Sequence, residues 1–147
     1  MAGSADSATR IQYGILPWRK GPQGLEVLLI TTRNTRRWLV PKGWPSKSRS
    51  PQEGAVREAF EEAGVLGKVG VEPIGSFRYR KRRKSGEVLH CKVVLFAMET
   101  TEQKPTWPEK ELRECVWCAV PDAAARVSFK SLGKLIRLLE QHLGVRP

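Results

Sequence analysis

The sequence predicts an α/β fold, in which a mixed β-sheet is sandwiched between helices. Short apolar runs of strand length come before and after a helix-like segment at residues 51–63, and a longer helical pattern closes the chain. The 147 residues, of which 40% are hydrophobic and 28% charged, suit one soluble domain. We therefore expect a flexible lead-in at residues 1–10 and a single domain over residues 11–147.

Three strands are predicted before the first helix. The runs at 11–18 and 25–32 are separated by the turn-forming residues 21–24, and a very short strand at 38–40 ends at Pro41. Residues 27–30 are continuously apolar, which is typical of a strand that is buried on both faces.

The helix at 51–63 carries terminal signals at both ends. Ser50 is suited to the N-cap, Pro51 to the first helical position and Glu53 to the third position of a capping box, while Gly64 is suited to the C-terminal cap. We expect an apolar face to pack inward and the glutamates to point to the opposite side. That apolar face consists of Ala55, Val56, Ala59, Phe60 and Ala63.

The second half of the chain predicts a hairpin, a loop, a strand and two helices. Strands at 69–80 and 87–98 flank a tip at Ser85–Gly86, a polar loop covers 99–111, and a strand follows at 114–120. Helices are predicted at 122–126 and 128–142. The buried stripe of the last helix is Leu132, Leu135, Ile136, Leu138, Leu139 and Leu143.

The formal net charge of +11 predicts an anionic partner. Basic residues crowd into 78–84 and into 33–49, on either side of the predicted acidic helix. No apolar run is long enough to span a bilayer, and the first ten residues lack a signal-peptide pattern, so we predict a cytoplasmic protein without membrane contact.

The three cysteines offer two interpretations. Cys115 and Cys118 have C-x-x-C spacing and His90 adjoins Cys91, so a zinc site could be drawn. No second C-x-x-C completes four ligands, and Cys115 and Cys118 flank an apolar strand-like run. Ordinary packing is therefore the favoured interpretation.

Three carboxylates converge on one side of the predicted helix. Glu58, Glu61 and Glu62 stand at i, i+3 and i+4, a spacing at which like charges repel. Carboxylate oxygens are the ligands that Mg²⁺ and Mn²⁺ prefer, so bound cations would offset this repulsion. The alternative is a solvated acidic face.

The segment 43–65, GWPSKSRSPQEGAVREAFEEAGV, resembles the Nudix box, G-x5-E-x7-R-E-U-x-E-E-x-G-U with U apolar. Every specified position matches except the first glutamate, where this chain has Arg49. Because Arg49 replaces an acid, we expect it to place a cation beside the carboxylates. The resemblance implies the Nudix fold and Mg²⁺-dependent cleavage of a diphosphate linked to another group, with Mn²⁺ as a possible substitute.

The resemblance also implies roles for the matching residues. Glu58 and Glu62 would be metal ligands, with a backbone carbonyl around Lys42–Gly43, and Arg57 would orient the carboxylates. Glu61 would be a further ligand or the base that takes a proton from the attacking water. The loop carboxylates that compete with Glu61 as the base are Glu109, Glu111 and Glu114.

Segments outside the box resemble the diphosphoinositol polyphosphate phosphohydrolases and their bacterial relatives, some of which also act on diadenosine polyphosphates. These segments are residues 13–17, 37–43 and 107–109, with Arg113 and Trp117. A substrate with many phosphates favours arginine forks and lysine charges. The expected substrate-binding residues are Arg36, Arg37, Lys42, Arg80, Arg82 and Lys84.

Three alternatives remain open. Diadenosine polyphosphates would need an aromatic platform for adenine, for which Trp18, Trp44, Phe77 and Tyr79 are candidates. Removal of a 5′ pyrophosphate from RNA would use the basic hairpin, but no separate RNA-binding module accompanies it. A non-catalytic Nudix-fold sensor of nucleotide or RNA is disfavoured by the retained glutamates.

Overall fold

The computed structural model describes residues 9–144 and has a mixed sheet with helices on both faces, as the sequence predicts. The described strands are β1 (Arg10–Gly21), β2 (Gly24–Thr31), β3 (Trp38–Leu39), β4 (Lys42–Gly43), β5 (Val65–Val69), β6 (Gly75–Arg82), β7 (Val88–Gln103) and β8 (Cys115–Ala119). The described helices are α1 (Pro51–Ala63), α2 (Val120–Arg126), α3 (Lys130–Arg137) and α4 (Leu139–Leu143), and a 3-10 turn covers Lys110–Leu112.

β1 and β7 form the centre of the sheet and run parallel, from the Arg10–Cys91 pair to the Trp18–Glu99 pair. The outer edge of β7 pairs antiparallel with β6 and then with β5, while β1 pairs antiparallel with β4 and then with β2. β2 also pairs antiparallel with β3 and β8. The early strands and the β6–β7 hairpin therefore meet in one sheet.

Two hydrophobic clusters cover the two faces of the sheet. α1 buries Ala55, Ala59 and Ala63 against one face, and α2 to α4 cover the other with residues that include Leu132 and Ile136. Each of residues 27–30 is at most 1% exposed, which confirms the prediction that β2 is buried on both faces.

The end signals of α1 are present in the structure. The Ser50 hydroxyl accepts a hydrogen bond from the Glu53 amide, and the Glu53 carboxylate accepts one from the Ser50 amide, which completes a capping box. Gly64 ends the helix with φ of 72°, in the left-handed region that glycine tolerates best.

Several element boundaries differ from the prediction. The strand predicted at 69–80 corresponds to β6, which begins only at Gly75 because residues 70–74 form a connection outside both strands. β5 was not predicted, and only its last residue, Val69, lies in the predicted range. The predicted loop at 99–111 begins as the end of β7, since β5 provides a partner as far as Gln103. β4 was not predicted, because two residues carry no periodic pattern.

The single helix predicted at 128–142 is wrong. Leu138 separates α3 from α4 and is 50% exposed, so it does not belong to the buried stripe. At the other end of the chain, β1 begins at Arg10, one residue before the predicted strand. The predicted lead-in falls largely on residues 1–8, which lie outside the described residues.

Gly64 generates a stability prediction because a Cβ atom there would overlap the Trp107 ring. We expect Gly64→Ala to lower the free energy of unfolding by roughly 1–3 kcal/mol more than Gly144→Ala. Gly144 has the same φ of 72° with open space around it, so it controls for backbone strain alone. Urea unfolding of the two variants measures the difference. Equal losses in the free energy of unfolding would show that the overlap with Trp107 contributes no further destabilisation.

Candidate active site

β4 brings the chain against the middle of α1. Its two residues pair with Tyr13 and Gly14 of β1, which presents Gly43 toward the helix. A Cβ atom on Gly43 would overlap the Glu58 carboxylate, so the absence of a side chain creates the space that Glu58 occupies. This close approach gives a physical reason for glycine at position 43.

Glu62 is 6% exposed, which contradicts the expectation that the glutamates of α1 point away from the interior. Its carboxylate accepts a hydrogen bond from the Lys42 amide at 3.4 Å and lies 3.7 Å from a guanidinium nitrogen of Arg113. Burial raises the pKa of Glu62 to about 8, and the neighbouring Glu58 acts in the same direction. Burial likewise raises the pKa of Glu58.

Arg113 connects the acidic helix to the loop before β8. Its guanidinium donates hydrogen bonds to the Glu109 carboxylate through Nε at 3.1 Å and to the Thr31 carbonyl through Nη1 at 3.1 Å. The Nη2 atom lies 3.0 Å from the same oxygen of Glu109, Oε1, and 3.7 Å from the Glu62 carboxylate. One half-buried arginine therefore faces two carboxylates and a strand end.

The loop that carries Glu109 is attached to the end of α1 at two points. The Trp107 indole donates a hydrogen bond to the Glu62 carbonyl at 3.2 Å, and the Glu109 amide donates one to the Glu61 carbonyl at 2.9 Å. Both bonds use carbonyls of the last helical turn, which have no partner within the helix. The loop carboxylate is thereby held near Glu58 and Glu62.

The other loop candidates for the base lie elsewhere. Glu111 is exposed within the 3-10 turn, and Glu114 is exposed and lies 3.9 Å from Arg36. Arg57 lies 3.5 Å from Glu61, an (i, i+4) ion pair on the partly exposed side of α1.

The Lys42 side chain extends from β4 toward Tyr79, which packs against the cluster under α2 to α4. Its ammonium lies 4.7 Å from the centre of the Tyr79 ring, a cation–π geometry. Burial lowers the pKa of Lys42 to about 8, against the opposing effect of Glu62. Tyr79 also donates a hydrogen bond to Gln12 at 2.6 Å, so its ring is held in place.

A cleft of about 550 Å³ opens next to Tyr79. Two of the predicted substrate-binding residues, Arg37 and Arg80, line it. Its full lining is Thr9, Arg37, Arg78, Tyr79, Arg80, His90, Cys91 and Phe129. The cleft combines guanidinium groups with two aromatic rings, and those rings lie 5.5 Å apart between centroids.

The remaining basic residues predicted to bind substrate do not line this cleft. Arg36 faces Glu114, Arg82 donates to the Gly86 carbonyl at 3.4 Å, and Lys84 lies in the hairpin turn. Among the candidate adenine platforms, Trp18 and Phe77 are buried in the core, whereas Tyr79 lines the cleft and Trp44 is 43% exposed.

Within residues 9–144, the cation in ion-pair contact with Glu62 is Arg113. Arg49, which was expected to place its charge beside the carboxylates, makes no ion pair with them in the described part of the chain. Arg49 lies in the loop before α1, where it lines a small pocket of about 130 Å³ with Gly43 and Trp44. Hydrogen bonds from Ser50 lower the pKa of Glu53 in the capping box, and the positive charge of Arg49 adds a smaller effect in the same direction.

The carboxylate pair has the chemistry of a magnesium site. Glu58 and Glu62 offer hard oxygen donors whose burial disfavours the ionised form, so a divalent cation would offset the cost of their charge. Within residues 9–144, no three side chains of His, Cys, Asp or Glu are arranged to hold an ion by themselves. Mg²⁺ commonly binds through one or two carboxylates with water and substrate phosphates, and that donor set fits this site.

The cysteines are separated by the sheet. Cys118 packs in the cluster under α2 to α4, whereas Cys115 packs against the cluster under α1. Residues three apart in a strand point to opposite faces, so the C-x-x-C spacing in β8 does not bring the two thiols together. Burial raises the pKa of both thiols.

Sequence reasoning missed the part that Arg113 takes in the site. Its four-residue spacing from Glu109 was an available signal, but the segment was predicted as an irregular loop, in which that spacing has no geometric meaning. Among the described residues, no helix has the length and apolar character needed to cross a membrane.

The comparisons with known proteins agree with this architecture. The NUDIX domain model matches residues 9–139. Nudix hydrolase 12, mitochondrial, of Arabidopsis thaliana is 32% identical over 129 residues, which cover 83% of this chain and 64% of the relative. Diphosphoinositol polyphosphate phosphohydrolase 3-beta of Bos taurus is 38% identical over 99 residues, covering 67% and 57% of the two chains.

The solved structures include a C. elegans Ap4A hydrolase with a TM-score of 0.66 and 20% identity, covering 92% of this chain and 99% of that one. This likeness shows a shared fold. The chain spans between about half and two thirds of the length of the first curated relatives that it matches. With the domain match over most of its length, the chain belongs to the Nudix hydrolase family.

Proposed function

We propose that this chain is a Mg²⁺-dependent pyrophosphohydrolase that cleaves a phosphoanhydride bond in diphosphoinositol polyphosphates or diadenosine polyphosphates. The observation that carries the proposal is the pairing of the buried Glu62 with the half-buried Glu58, with Lys42 leading from this pair to an arginine-lined cleft. The names of the bovine relative and of the C. elegans structure support this choice of substrates.

The residues around α1 fit the binding of the metal. Glu58 and Glu62 would hold Mg²⁺, or Mn²⁺ in its place, together with a backbone carbonyl near Lys42–Gly43. Glu61 would serve as a further ligand, and Arg57 would keep its carboxylate oriented through their contact at 3.5 Å. When bound, the ion neutralises charge on the diphosphate.

The cleft supports binding of a highly anionic small molecule. Arg37 and Arg80 can contact phosphate oxygens, and Lys42 would bind a phosphate near the carboxylates. The Tyr79 and Phe129 rings provide an apolar wall on which an adenine or an inositol ring could lie. Arg36, Arg82 and Lys84 remain predictions as outer contacts, since they lie outside the cleft lining.

We assign removal of the proton from the attacking water to Glu109. Two nitrogens of Arg113 lie within 3.1 Å of Glu109 Oε1, and these contacts fix the position of the carboxylate that would accept the proton. The backbone bond to Glu61 holds Glu109 beside the carboxylates of α1. Glu61 is the competing candidate.

A cytoplasmic location without membrane contact is also proposed. The Arabidopsis relative is named mitochondrial, so fractionation of cells that express the full protein is the direct test. Recovery of the protein in an organelle or membrane fraction would contradict the proposal.

A screen of phosphate release with Mg²⁺ tests the function. We expect turnover to be fastest with diphosphoinositol pentakisphosphate or diadenosine polyphosphates, ahead of ADP-ribose, nucleoside triphosphates and 5′-triphosphorylated RNA. Glu62→Gln should abolish release while circular dichroism stays native, because the amide keeps the shape of the side chain but lacks the charge. Glu72→Gln, at an exposed loop position, is the control. Wild-type rates in Glu62→Gln would refute the catalytic assignment.

The identity of the base is tested within one loop. Glu109→Gln should lower kcat by roughly 10²–10⁴-fold, which is the usual contribution of a positioned general base. The neighbouring Glu111→Gln should stay near the wild-type rate, since that carboxylate is exposed in the 3-10 turn. A large loss in Glu61→Gln together with normal rates in Glu109→Gln would transfer the role to Glu61.

The buried carboxylate predicts how stability depends on pH when metal is removed with EDTA. The pKa of Glu62 is about 8 in the folded chain and near 4.5 as a free carboxyl, so the folded state binds an extra proton between these values. The free energy of unfolding should therefore fall as pH rises through this window, with a slope of up to roughly 1.4 kcal/mol per pH unit. The pKa of Lys42 is lowered to about 8 from 10.5, so between these values the unfolded state binds the extra proton. The free energy of unfolding should therefore rise again above pH 8.

Urea titrations across this pH range measure the slope. Glu62→Gln should remove most of the decline, and Glu72→Gln should retain it. An unchanged slope in Glu62→Gln would show that another group binds the extra proton.

A further inference from the structure

The β6–β7 hairpin carries a row of basic side chains on one side. The pairing places Arg78 opposite Lys92 and Arg80 opposite His90, and directly paired residues project from the same face of a sheet. Because alternate residues of a strand project from the same face, Arg82 lies on that face as well. We call this set the basic ladder: Arg78, Arg80, Arg82, His90 and Lys92.

The basic ladder is exposed and lacks compensating acids. Arg78, Arg80, Arg82 and His90 are exposed, and Lys92 is half-buried. Among the described residues, the ladder makes no ion pair: Arg78 donates to the Thr9 hydroxyl and Arg82 to the Gly86 carbonyl. Like charges directly opposite each other destabilise a sheet. An anion laid across the hairpin would remove that repulsion.

The ladder begins where α1 no longer covers the sheet. On this face of β7, Phe96 and Met98 are buried under α1, whereas positions 90 and 92 lie beyond the helix. The next strand presents Ile11 opposite Lys92 and Tyr13 opposite Val94. The aliphatic Ile11 and the aromatic Tyr13 therefore lie next to the basic side chains on the same face of the sheet. Tyr13 also lines the small pocket before α1.

The dimensions favour a chain-like anion. Arg78 and Arg82 are four residues apart, which corresponds to roughly 13 Å along a strand. An extended polyanion with flat, apolar bases matches both the charges and the adjoining Tyr13 and Ile11.

Arg78, Arg80 and His90 of the ladder also line the cleft beside Tyr79, whereas Arg82 and Lys92 lie outside its lining. We propose that the basic ladder is a binding surface for single-stranded nucleic acid that adjoins the substrate cleft and shares these three residues with it. Phosphates lie along the arginines of β6 and the lysine of β7, and a base contacts the Tyr13–Ile11 side of the surface. Binding at this surface needs neither Mg²⁺ nor a hydrolysable bond.

The test is fluorescence anisotropy with a labelled single-stranded RNA of about twelve nucleotides that carries a 5′ hydroxyl, in EDTA. Arg78→Glu/Lys92→Glu should weaken binding at least about tenfold and should reduce the slope of log K against log salt by roughly 1.4, which is the change expected for two lost phosphate contacts. Lys20→Glu/Lys130→Glu changes the net charge equally at exposed sites off the ladder and should bind nearly as wild type. Equal weakening in the two double variants would overturn the proposal.

Two further arms separate the ladder from less specific explanations. Arg78→Gln/Lys92→Gln, which introduces no repulsion, should still weaken binding several-fold, and wild-type affinity in this variant would count against the site. Inorganic polyphosphate and phosphatidylserine vesicles serve as competitors at matched phosphate concentration. Displacement of RNA by either one as effectively as by unlabelled RNA would overturn nucleic acid as the occupant. Because the RNA has no diphosphate to cleave, a failed hydrolysis screen leaves this result unaffected.

Discussion

The active-site region depends on keeping the carboxylate of Glu62 out of water. A buried carboxylate is costly unless a cation or hydrogen-bond donors face it, and here those partners come from distant parts of the chain. The Lys42 amide approaches from β4 and the Arg113 guanidinium from the loop before β8. The short strand, the acidic helix and the loop consequently have to meet at one point.

This requirement also explains why the loop is ordered. A segment between β7 and β8 with three acidic residues, two of them exposed, would repel the glutamates of α1 if it were left free. Arg113 instead lies between the loop carboxylate Glu109 and the helix carboxylate Glu62. A hydrogen bond from its guanidinium to the Thr31 carbonyl fixes the orientation of the arginine side chain. Arg113 thus contacts both Glu109 of the loop and Glu62 of the helix, and its positive charge offsets the repulsion between these two carboxylates.

Sequence reasoning reached the helix and its chemistry because those signals are local. Capping residues, the apolar stripe of α1 and the spacing of the glutamates all act within a few turns of helix. The burial of Glu62 and the contacts of Arg113 arise from residues twenty to eighty positions apart, and no local pattern encodes them. The same reason applies to β4 and to the break at Leu138, whose positions depend on neighbouring strands and on packing.

The position of Trp107 against Gly64 has an evolutionary consequence. The indole covers the site that a Cβ atom of residue 64 would occupy, and its nitrogen bonds to the helix through the Glu62 carbonyl. A lineage could therefore acquire a side chain at position 64 without large damage only after Trp107 had become smaller. The reverse order would pass through a destabilised intermediate, so these two positions should change in a fixed order and not independently.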